Sequence, residues 1–272
     1  MSGDGMSFTD VHSHLVPGVD DGARDLDEAR EALARFWKAG VRRLATTPHL
    51  DGSLTLTPER LEARIQAVEE AWLRLQEAAE EDLPELELHR GFEVMLDAPG
   101  VDLTLPSLAL GGTASVLVEW PRLRVPPETI PVLTRIRASG VQPVLAHPER
   151  YRGLGPDLTL PGEWRRAGAH LQVNYGSLLG RYGEEPRERA MTLLERGWVD
   201  LFASDHHARP RLPLYLREAR ELLVEMEGEE HFQILASTNP SRILDGEEPV
   251  PVPPLEVSRG IWSRLRSILS GG

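Results

Sequence analysis

Two histidines one residue apart, His12 and His14, follow the first apolar segment of the chain. Alternate side chains of an extended segment point to the same side, so one metal ion can bind both imidazoles. Carboxylates also follow this first segment, and imidazoles and carboxylates follow later ones. These further candidates are Asp20, Asp21, His49, Glu93, Glu119, His147, Asp205 and His207. The sequence therefore predicts a metal site whose ligands come from many parts of the chain.

The residue types define the metal chemistry. The chain has no cysteine, which excludes thiolate metal sites, disulfides and cysteine nucleophiles. A mixed set of nitrogen and oxygen ligands suits zinc, manganese or iron rather than calcium. The candidates outnumber the ligands of a single ion. Two or three clustered ions are therefore expected, with a carboxylate such as Glu93 bridging them.

Such a cluster predicts hydrolysis of a phosphate ester. Divalent ions lower the pKa of water and stabilise the charge that develops in an in-line displacement. Arg150 adds a guanidinium group, which binds phosphate through two hydrogen bonds. The alternative for Arg150 is a surface ion pair with Glu149. These residues alone leave deacylation and deamination open as other reactions of a metal barrel.

Each candidate also has a structural interpretation when it is taken alone. A lone histidine such as His49 is more often a surface or core residue than a ligand, and Asp20 and Asp21 can form a solvated turn before Gly22. The metal interpretation is favoured because candidates occur jointly at six strand ends. Three further histidines lie elsewhere and are interpreted as structural: His89, His170 and His231.

A repeated order of strand and helix must position these residues. Apolar segments predict seven strands, at residues 8–11, 41–47, 86–94, 115–119, 141–146, 169–174 and 198–203. Asp25 with Glu28, and Thr57 before Pro58, predict helix starts. The order is typical of an α/β fold with a mainly parallel sheet, and seven strands are enough to form a barrel. Because the carboxyl ends of parallel strands meet at one mouth, the candidates are expected to meet there.

Length and charge limit the partners. The 272 residues carry a net charge of −13, with 40% hydrophobic and 27% charged residues, a composition typical of a globular chain. The acidic excess argues against a general basic surface for nucleic acid or anionic lipid. No segment is apolar enough to span a membrane or to act as a signal core. We therefore expect a cytoplasmic protein.

Two regions differ in composition. Residues 1–245 are expected to form the barrel, and residues 246–272 a proline-rich linker with a C-terminal amphipathic helix. An apolar stripe at helical spacing over 261–269 carries the prediction of that helix. The helix either docks on the barrel or binds a partner or a membrane surface.

Eight short motifs connect the chain with a known family. They are DVHSH at 10–14, GVDDG at 18–22, TPH at 47–49, GFE at 91–93, LVE at 117–119, AHPERY at 146–151, NYGSLLG at 174–180 and ASDHH at 203–207. With them the chain resembles the polymerase-and-histidinol-phosphatase (PHP) superfamily. More narrowly, it is similar to the bacterial manganese-dependent protein-tyrosine phosphatases linked to capsule and exopolysaccharide synthesis.

The resemblance implies a fold and a metal site. The fold is a distorted (β/α)7 barrel of the PHP type, with parallel strands and outer helices. The site is trinuclear and holds manganese, with iron and zinc as alternatives. Asp21 rather than Asp20 is a ligand, and the nine implied ligands are His12, His14, Asp21, His49, Glu93, Glu119, His147, Asp205 and His207.

The resemblance also implies roles in catalysis and substrate binding. The implied catalytic residues are Arg150, Asp205 and His207. Arg150 is expected to contact the phosphate, together with Arg209 or Arg211. The segment ARPRLP at 208–213 departs from the Arg-Pro-Pro stretch of the family, so the choice between Arg209 and Arg211 stays open.

The expected function is metal-dependent hydrolysis of phosphotyrosine in proteins. The expected partner is the tyrosine-rich tail of a tyrosine autokinase that regulates capsule or exopolysaccharide synthesis. One alternative is a small-molecule phosphoesterase, such as a histidinol-phosphate phosphatase or a nucleotide phosphoesterase. The other is a non-catalytic barrel that binds a partner. No nucleic-acid partner is expected, and the oligomeric state is left open.

Overall fold

A computed structural model describes residues 7–256, in which parallel strands alternate with helices. The strands are β1 Phe8–Asp10, β2 Val41–Thr46, β3 His49–Asp51, β4 Glu87–Arg90, β5 Glu93–Met95, β6 Ser115–Glu119, β7 Gln142–Ala146, β8 His170–Asn174 and β9 Leu201–Ala203. The helices are α1 Leu26–Lys38, α2 Pro58–Asp82, α3 Thr129–Ala138, α4 Thr159–Arg166, α5 Tyr175–Leu178, α6 Glu184–Glu195, α7 Leu216–Glu225, α8 Glu229–Gln233 and α9 Asn239–Leu244.

The strands form two sheets. The orders are β1-β2-β4 and β3-β5-β6-β7-β8-β9, and every pair is parallel. Beyond β9 and β1, a parallel bridge joins Ser13 to His206, with the His14 N–H donating to the His206 carbonyl at 2.9 Å. The strand order therefore returns to its start, and the prediction of a distorted (β/α)7 barrel is confirmed.

One of the seven predicted strands is divided, so its prediction as a continuous strand was wrong, and one short strand was not predicted. The predicted strand over 41–47 corresponds to β2, which ends one residue earlier. The strand β3, which was not predicted, begins after Pro48, a residue with no N–H for the ladder. The segment 86–94 is divided into β4 and β5 at Gly91, where a Cβ would lie 3.0 Å from the Leu110 side chain. The interruptions place His49 and Glu93 at the breaks, directly opposite each other in the β3–β5 register.

The predicted helix starts are present with altered caps. Asp25 Oδ1 accepts from the Glu28 N–H at 2.9 Å, as in a capping box. Glu28 Oε2 accepts from the N–H of Arg24 at 2.9 Å instead of the N–H of Asp25. Helix α2 begins at Pro58, but Thr57 makes no side-chain cap bond. Both helices thus begin within one residue of the predicted positions.

The barrel interior is filled with apolar side chains. A small buried cluster collects residues from strands on all sides, among them Val11, Ala45, Leu117 and Leu201, and it includes Ile243 of α9. A separate, larger cluster packs the strands against the outer helices. Because apolar side chains fill the interior, the polar side chains at the carboxyl ends of the strands rest on a packed apolar layer.

Between α9 and residue 256 the chain has no regular secondary structure and stays in contact with the barrel. Leu255 is buried, and its N–H donates to the Leu194 carbonyl at 3.0 Å. The amphipathic helix predicted over 261–269 lies outside the described residues. Within residues 7–256, no helix combines the length and the apolar character needed to cross a membrane.

Candidate metal centre

The nine predicted metal ligands lie together at the carboxyl ends of the barrel strands. Among the described residues they form four groups, within each of which the ligand atoms lie within 4.8 Å of one another: His14, Asp21, His49 and His207; His12, Glu93 and His147; His12, His14 and Asp205; His49, Glu93 and Glu119. No other described residue belongs to these groups. The structure thus brings all nine predicted ligands together. That these residues bind metal stays a prediction.

Glu93 stands at the centre of the cluster. Its side chain is buried, and its Oε2 lies 3.3 Å from His12 Nε2, 3.4 Å from His14 Nε2 and 3.0 Å from His49 Nδ1. Its Oε1 lies 2.9 Å from His147 Nε2. Glu93 Oε2 has no partner in hydrogen-bonding geometry among the described residues. A buried carboxylate oxygen of this kind, surrounded by imidazole nitrogens, fits a position that bridges cations.

The remaining carboxylates surround this centre. Asp205 Oδ1 lies 3.4 Å from His12 Nε2 and 3.5 Å from His14 Nε2. On the outer side, Asp21 Oδ1 lies 3.4 Å from both His49 Nε2 and His207 Nε2. The Asp21 side chain is 66% exposed, whereas Asp205 is buried. The cluster therefore opens to solvent on its Asp21 side.

Strained turns direct two of these side chains inward. His147 directly follows β7, Asp205 lies two residues after the end of β9, and their φ angles are positive, 37° and 51°. Non-glycine residues rarely adopt this region, and it costs on the order of 1 kcal/mol or more. The Asp205 N–H donates to the His12 carbonyl at 2.9 Å and holds one of these turns in place. Such strain is typical of functional sites.

The cluster is charged in a way that suits cations. Burial alone lowers the pKa of His12, but the Glu93 and Asp205 carboxylates raise it to about 9. Burial opposes ionisation of Asp205, yet His12 and His14 hold the pKa of Asp205 far below its usual range. Burial and the neighbouring Glu93 raise the pKa of Glu119 to about 7. The pKa of His14 is raised as well, so without cations protons on His12 and His14 balance the buried carboxylates, and metal ions would supply that positive charge instead.

Asp20 and Asp21 have different positions. Asp20 Oδ2 lies 2.7 Å from His14 Nδ1 and accepts from the His49 N–H at 3.1 Å. It therefore stands behind the two histidines rather than among the candidate ligands. Gly22 permits this loop, because a Cβ there would lie 2.1 Å from the His14 carbonyl oxygen.

A buried chain of amides, which the sequence analysis missed, supports two candidate ligands. Gln172 Oε1 lies 2.8 Å from His12 Nδ1, and Gln172 Nε2 donates to Asn174 Oδ1 at 2.8 Å. Asn174 Nδ2 donates in turn to Asp205 Oδ2 at 2.9 Å. Both amides are fully buried. The available signal was the pair of polar residues, Gln172 and Asn174, at alternate positions of β8 with apolar Leu171 and Val173 between and before them.

Arg150 faces the cluster rather than Glu149. Its Nη1 lies 2.6 Å from Asp205 Oδ2, and its guanidinium stands 4.0 Å from the centre of the Tyr182 ring. Glu149 is buried and accepts from Ser177 Oγ at 2.5 Å. The surface ion pair considered as an alternative for Arg150 is therefore absent from the described residues. The Arg150 side chain keeps 19% of its surface exposed, at the mouth of the cluster.

The remaining predicted residues lie around this mouth. Arg209 donates through Nη2 to the Asp21 carbonyl oxygen. Arg211 is exposed and lines a groove of about 500 Å³ that also contains Arg209. His206 lies outside the four groups, because its Nε2 faces the Leu212 carbonyl at 3.1 Å. The histidines interpreted as structural, His89, His170 and His231, also lie outside these groups.

Comparison with known families decides the relationship of the chain. The family described as capsular polysaccharide synthesis, CpsB/CapC, matches residues 8–245. The chain belongs to the CpsB/CapC family. The matched residues include all nine members of the cluster as well as Arg150 and the groove residues.

Relatives in the family span nearly the same length. Tyrosine-protein phosphatase CpsB of Streptococcus pneumoniae is 28% identical over 244 residues, covering 86% of this chain and 97% of the relative. Tyrosine-protein phosphatase YwqE of Bacillus subtilis is 28% identical over 254 residues, covering 92% and 96%. The resemblance expected from the motifs is thereby confirmed.

Solved structures support the same relationship. A chain from crystal structures of Bacillus subtilis YwqE and Streptococcus pneumoniae CpsB, described as unique metal-dependent tyrosine phosphatases, superposes with a TM-score of 0.74 at 26% identity. It covers 92% of this chain and 100% of its own length. The phosphotriesterase homology protein of Escherichia coli, with phosphate in its active site, has a TM-score of 0.55 at 15% identity. That second similarity concerns the barrel fold alone.

Proposed function

We propose that this protein is a metal-dependent phosphatase that hydrolyses phosphotyrosine in proteins. The observation that carries the proposal is the convergence of nine imidazoles and carboxylates into four contiguous groups at one barrel mouth. Family relatives described as tyrosine-protein phosphatases match nearly the whole chain. The small-molecule phosphoesterase and the non-catalytic barrel are not favoured, since neither description occurs among these relatives.

The proposed ligands are the nine residues of the cluster, with Asp21 rather than Asp20 on the solvent side. Their mixture of nitrogen and oxygen donors suits manganese, and also iron or zinc. Four groups of donors that share His12, His14, His49 and Glu93 suit three ions better than one. When bound, divalent ions would activate water at neutral pH and stabilise the negative charge of the phosphoryl group in the transition state.

Arg150 is the proposed phosphate contact. Its guanidinium lies at the mouth, partly exposed, and is held from two sides by Asp205 and by the face of Tyr182. A guanidinium fixed in this way can bind two phosphoryl oxygens through parallel hydrogen bonds. Asp205 thus has two proposed roles, because Oδ1 faces the histidines and Oδ2 orients Arg150.

His207 completes the proposed catalytic set on the open side. Its Nδ1 lies 3.0 Å from the Asp205 carbonyl oxygen, so a proton on Nδ1 leaves Nε2 free to face Asp21. Burial and the nearby His14 lower the pKa of His207, which keeps the imidazole neutral and able to ligate. The tyrosinate leaving group, with a pKa of about 10, needs less protonation than an alkoxide would.

Substrate and location extend the proposal. The family description, capsular polysaccharide synthesis, supports a substrate among the tyrosine autokinases that regulate such synthesis. Tyrosine-rich tails of such kinases would meet this enzyme in the cytoplasm, where ATP is available for their phosphorylation. Arg209 and Arg211, which border the mouth, are the remaining proposed substrate contacts.

Hydrolysis of three substrates tests this function. Manganese-loaded protein is given a phosphotyrosine peptide, a phosphoserine peptide of the same sequence and histidinol phosphate, and released phosphate is measured. We expect the highest kcat/KM for the phosphotyrosine peptide. A preference for histidinol phosphate or for phosphoserine would contradict the assignment, and no hydrolysis of any substrate would support a non-catalytic barrel.

A further inference from the structure

A groove with three arginines lies beside the candidate metal centre. It is lined by Arg181, Tyr215 and residues 209–213, and its volume is about 500 Å³. The chain as a whole carries a net charge of −13. A concentration of basic groups at one place on such a protein attracts anionic groups locally, because the field of the nearest charges dominates over short distances.

Two of the three arginines of this groove have no acidic partner among the described residues. Within the described part of the chain, neither Arg181 nor Arg211 forms an ion pair, and both are exposed. Other arginines do have such partners, as Arg43 Nη2 lies 2.7 Å from Asp245 Oδ1. The guanidinium groups of Arg181 and Arg211 are therefore free to pair with carboxylates of another molecule.

The backbone of the groove is held in a fixed position. Arg35 Nη1 donates to the carbonyl oxygens of residues 209, 210 and 212 at 2.9, 3.1 and 3.5 Å. Arg181 and Tyr215 pack over Gly176, where a Cβ would lie 3.1 Å from Arg181 Cβ and 3.3 Å from Tyr215 Cδ2. A surface fixed before binding loses less entropy when a ligand is bound.

The groove adjoins the place where phosphate is expected. Its residue Arg209 lies two positions after His207 and donates to the Asp21 carbonyl oxygen, on the open side of the cluster. A peptide whose phosphotyrosine enters the mouth on this side would extend its neighbouring residues along the groove.

We propose that this groove binds acidic residues flanking the phosphotyrosine of a protein substrate. The inference rests on the proposed function and adds a substrate preference to it. Carboxylates pair well with guanidinium groups, which offer two parallel N–H donors. The ring of Tyr215, with the prolines at 210 and 213, supplies apolar surface for the peptide backbone and side-chain stems.

Peptides with different flanks test the preference. Three phosphotyrosine peptides of equal length carry glutamate, glutamine or lysine beside the phosphotyrosine, and kcat/KM is measured with manganese-loaded full-length protein. We expect the order glutamate, glutamine, lysine, with about a two- to fivefold change for each exposed ion pair. The differences should shrink at about 1 M salt, where the screening length falls to about 3 Å.

A variant pair locates the effect. Arg181→Gln removes one charge of the groove. Arg74→Gln is the control, because it removes an exposed charge on α2 that does not line the groove. Rates are normalised to p-nitrophenyl phosphate, which has no flanking residues. The preference for glutamate should decrease in Arg181→Gln and persist in Arg74→Gln.

The outcomes separate this inference from the proposed function. Equal kcat/KM for the three peptides, or an unchanged preference in Arg181→Gln, would contradict the binding of acidic residues in the groove. The proposed hydrolysis of phosphotyrosine would not be affected by either result. Hydrolysis of none of the phosphotyrosine peptides would overturn the proposed function, and the groove with it.

Discussion

Gln172 Oε1 lies 2.8 Å from His12 Nδ1, on the opposite side of the imidazole from the nitrogen that faces Glu93. Asp205, at the other end of the chain of amides, determines which partner donates in this hydrogen bond. Asp205 Oδ2 only accepts, so Asn174 must donate to it and must accept from Gln172. Gln172 therefore presents its oxygen to His12, and His12 Nε2 is left free for a metal ion.

Gln172→Leu is expected to weaken metal binding by about 10- to 100-fold, because partners of ligating histidines fix the ring and its tautomer. The measurement is a calorimetric titration of chelator-treated protein with Mn²⁺. Gln172→Glu serves as the comparison, because it keeps an acceptor for His12 Nδ1 but cannot donate to Asn174. Unchanged affinity in Gln172→Leu would show that the amide chain has no part in metal binding.

His49→Ala is expected to lower phosphotyrosine hydrolysis by about 100-fold or more, since His49 belongs to two of the four ligand groups. The matched control is His170→Ala. His170 lies outside the cluster, 3.2 Å from Glu248, and its loss should change kcat/KM by less than about twofold. Comparable losses in the two variants would argue against the assignment of His49.

Metal binding is expected to release protons. Against the effect of burial, the neighbouring carboxylates raise the pKa of His12 to about 9 and the pKa of His14 well above its ordinary value. These imidazoles carry protons at about pH 7 in metal-free protein, and a cation must displace them. Calorimetry in two buffers of different ionisation enthalpy measures the release. Affinity should rise with pH, and binding without proton release would contradict the cluster chemistry.

Metal-free protein is expected to lose stability as the pH rises from about 7 to about 9. The pKa of His12 is about 9 in the folded protein, where Glu93 and Asp205 outweigh burial, and about 6.5 in the unfolded chain. The stabilisation is complete below the unfolded pKa and is lost as the pH passes the folded pKa, at about 1.4 kcal/mol per unit of difference. Thermal unfolding of metal-free and loaded protein measures the effect. If the Tm of metal-free protein at about pH 9 equalled or exceeded its Tm at about pH 7, the prediction would be contradicted.

The sequence predicted the barrel and the cluster because both depend on local patterns. Apolar strands ending in imidazoles or carboxylates place His12, His147 and Asp205 at one mouth whatever the details of packing. The short strand β3 and the break at Gly91 were not predicted. The break follows from the close approach of Gly91 to Leu110, a contact between distant segments. The buried partners Gln172 and Asn174 were missed for the same reason: their role depends on side chains more than 25 positions away.

Restoration of activity by metal tests the central claim most directly. Chelator-treated protein is titrated with Mn²⁺, and hydrolysis of a phosphotyrosine peptide is followed together with bound metal. We predict no hydrolysis without metal and full activity once the cluster of nine side chains is loaded, with three ions per chain. Full activity of a preparation shown to be metal-free would contradict the account.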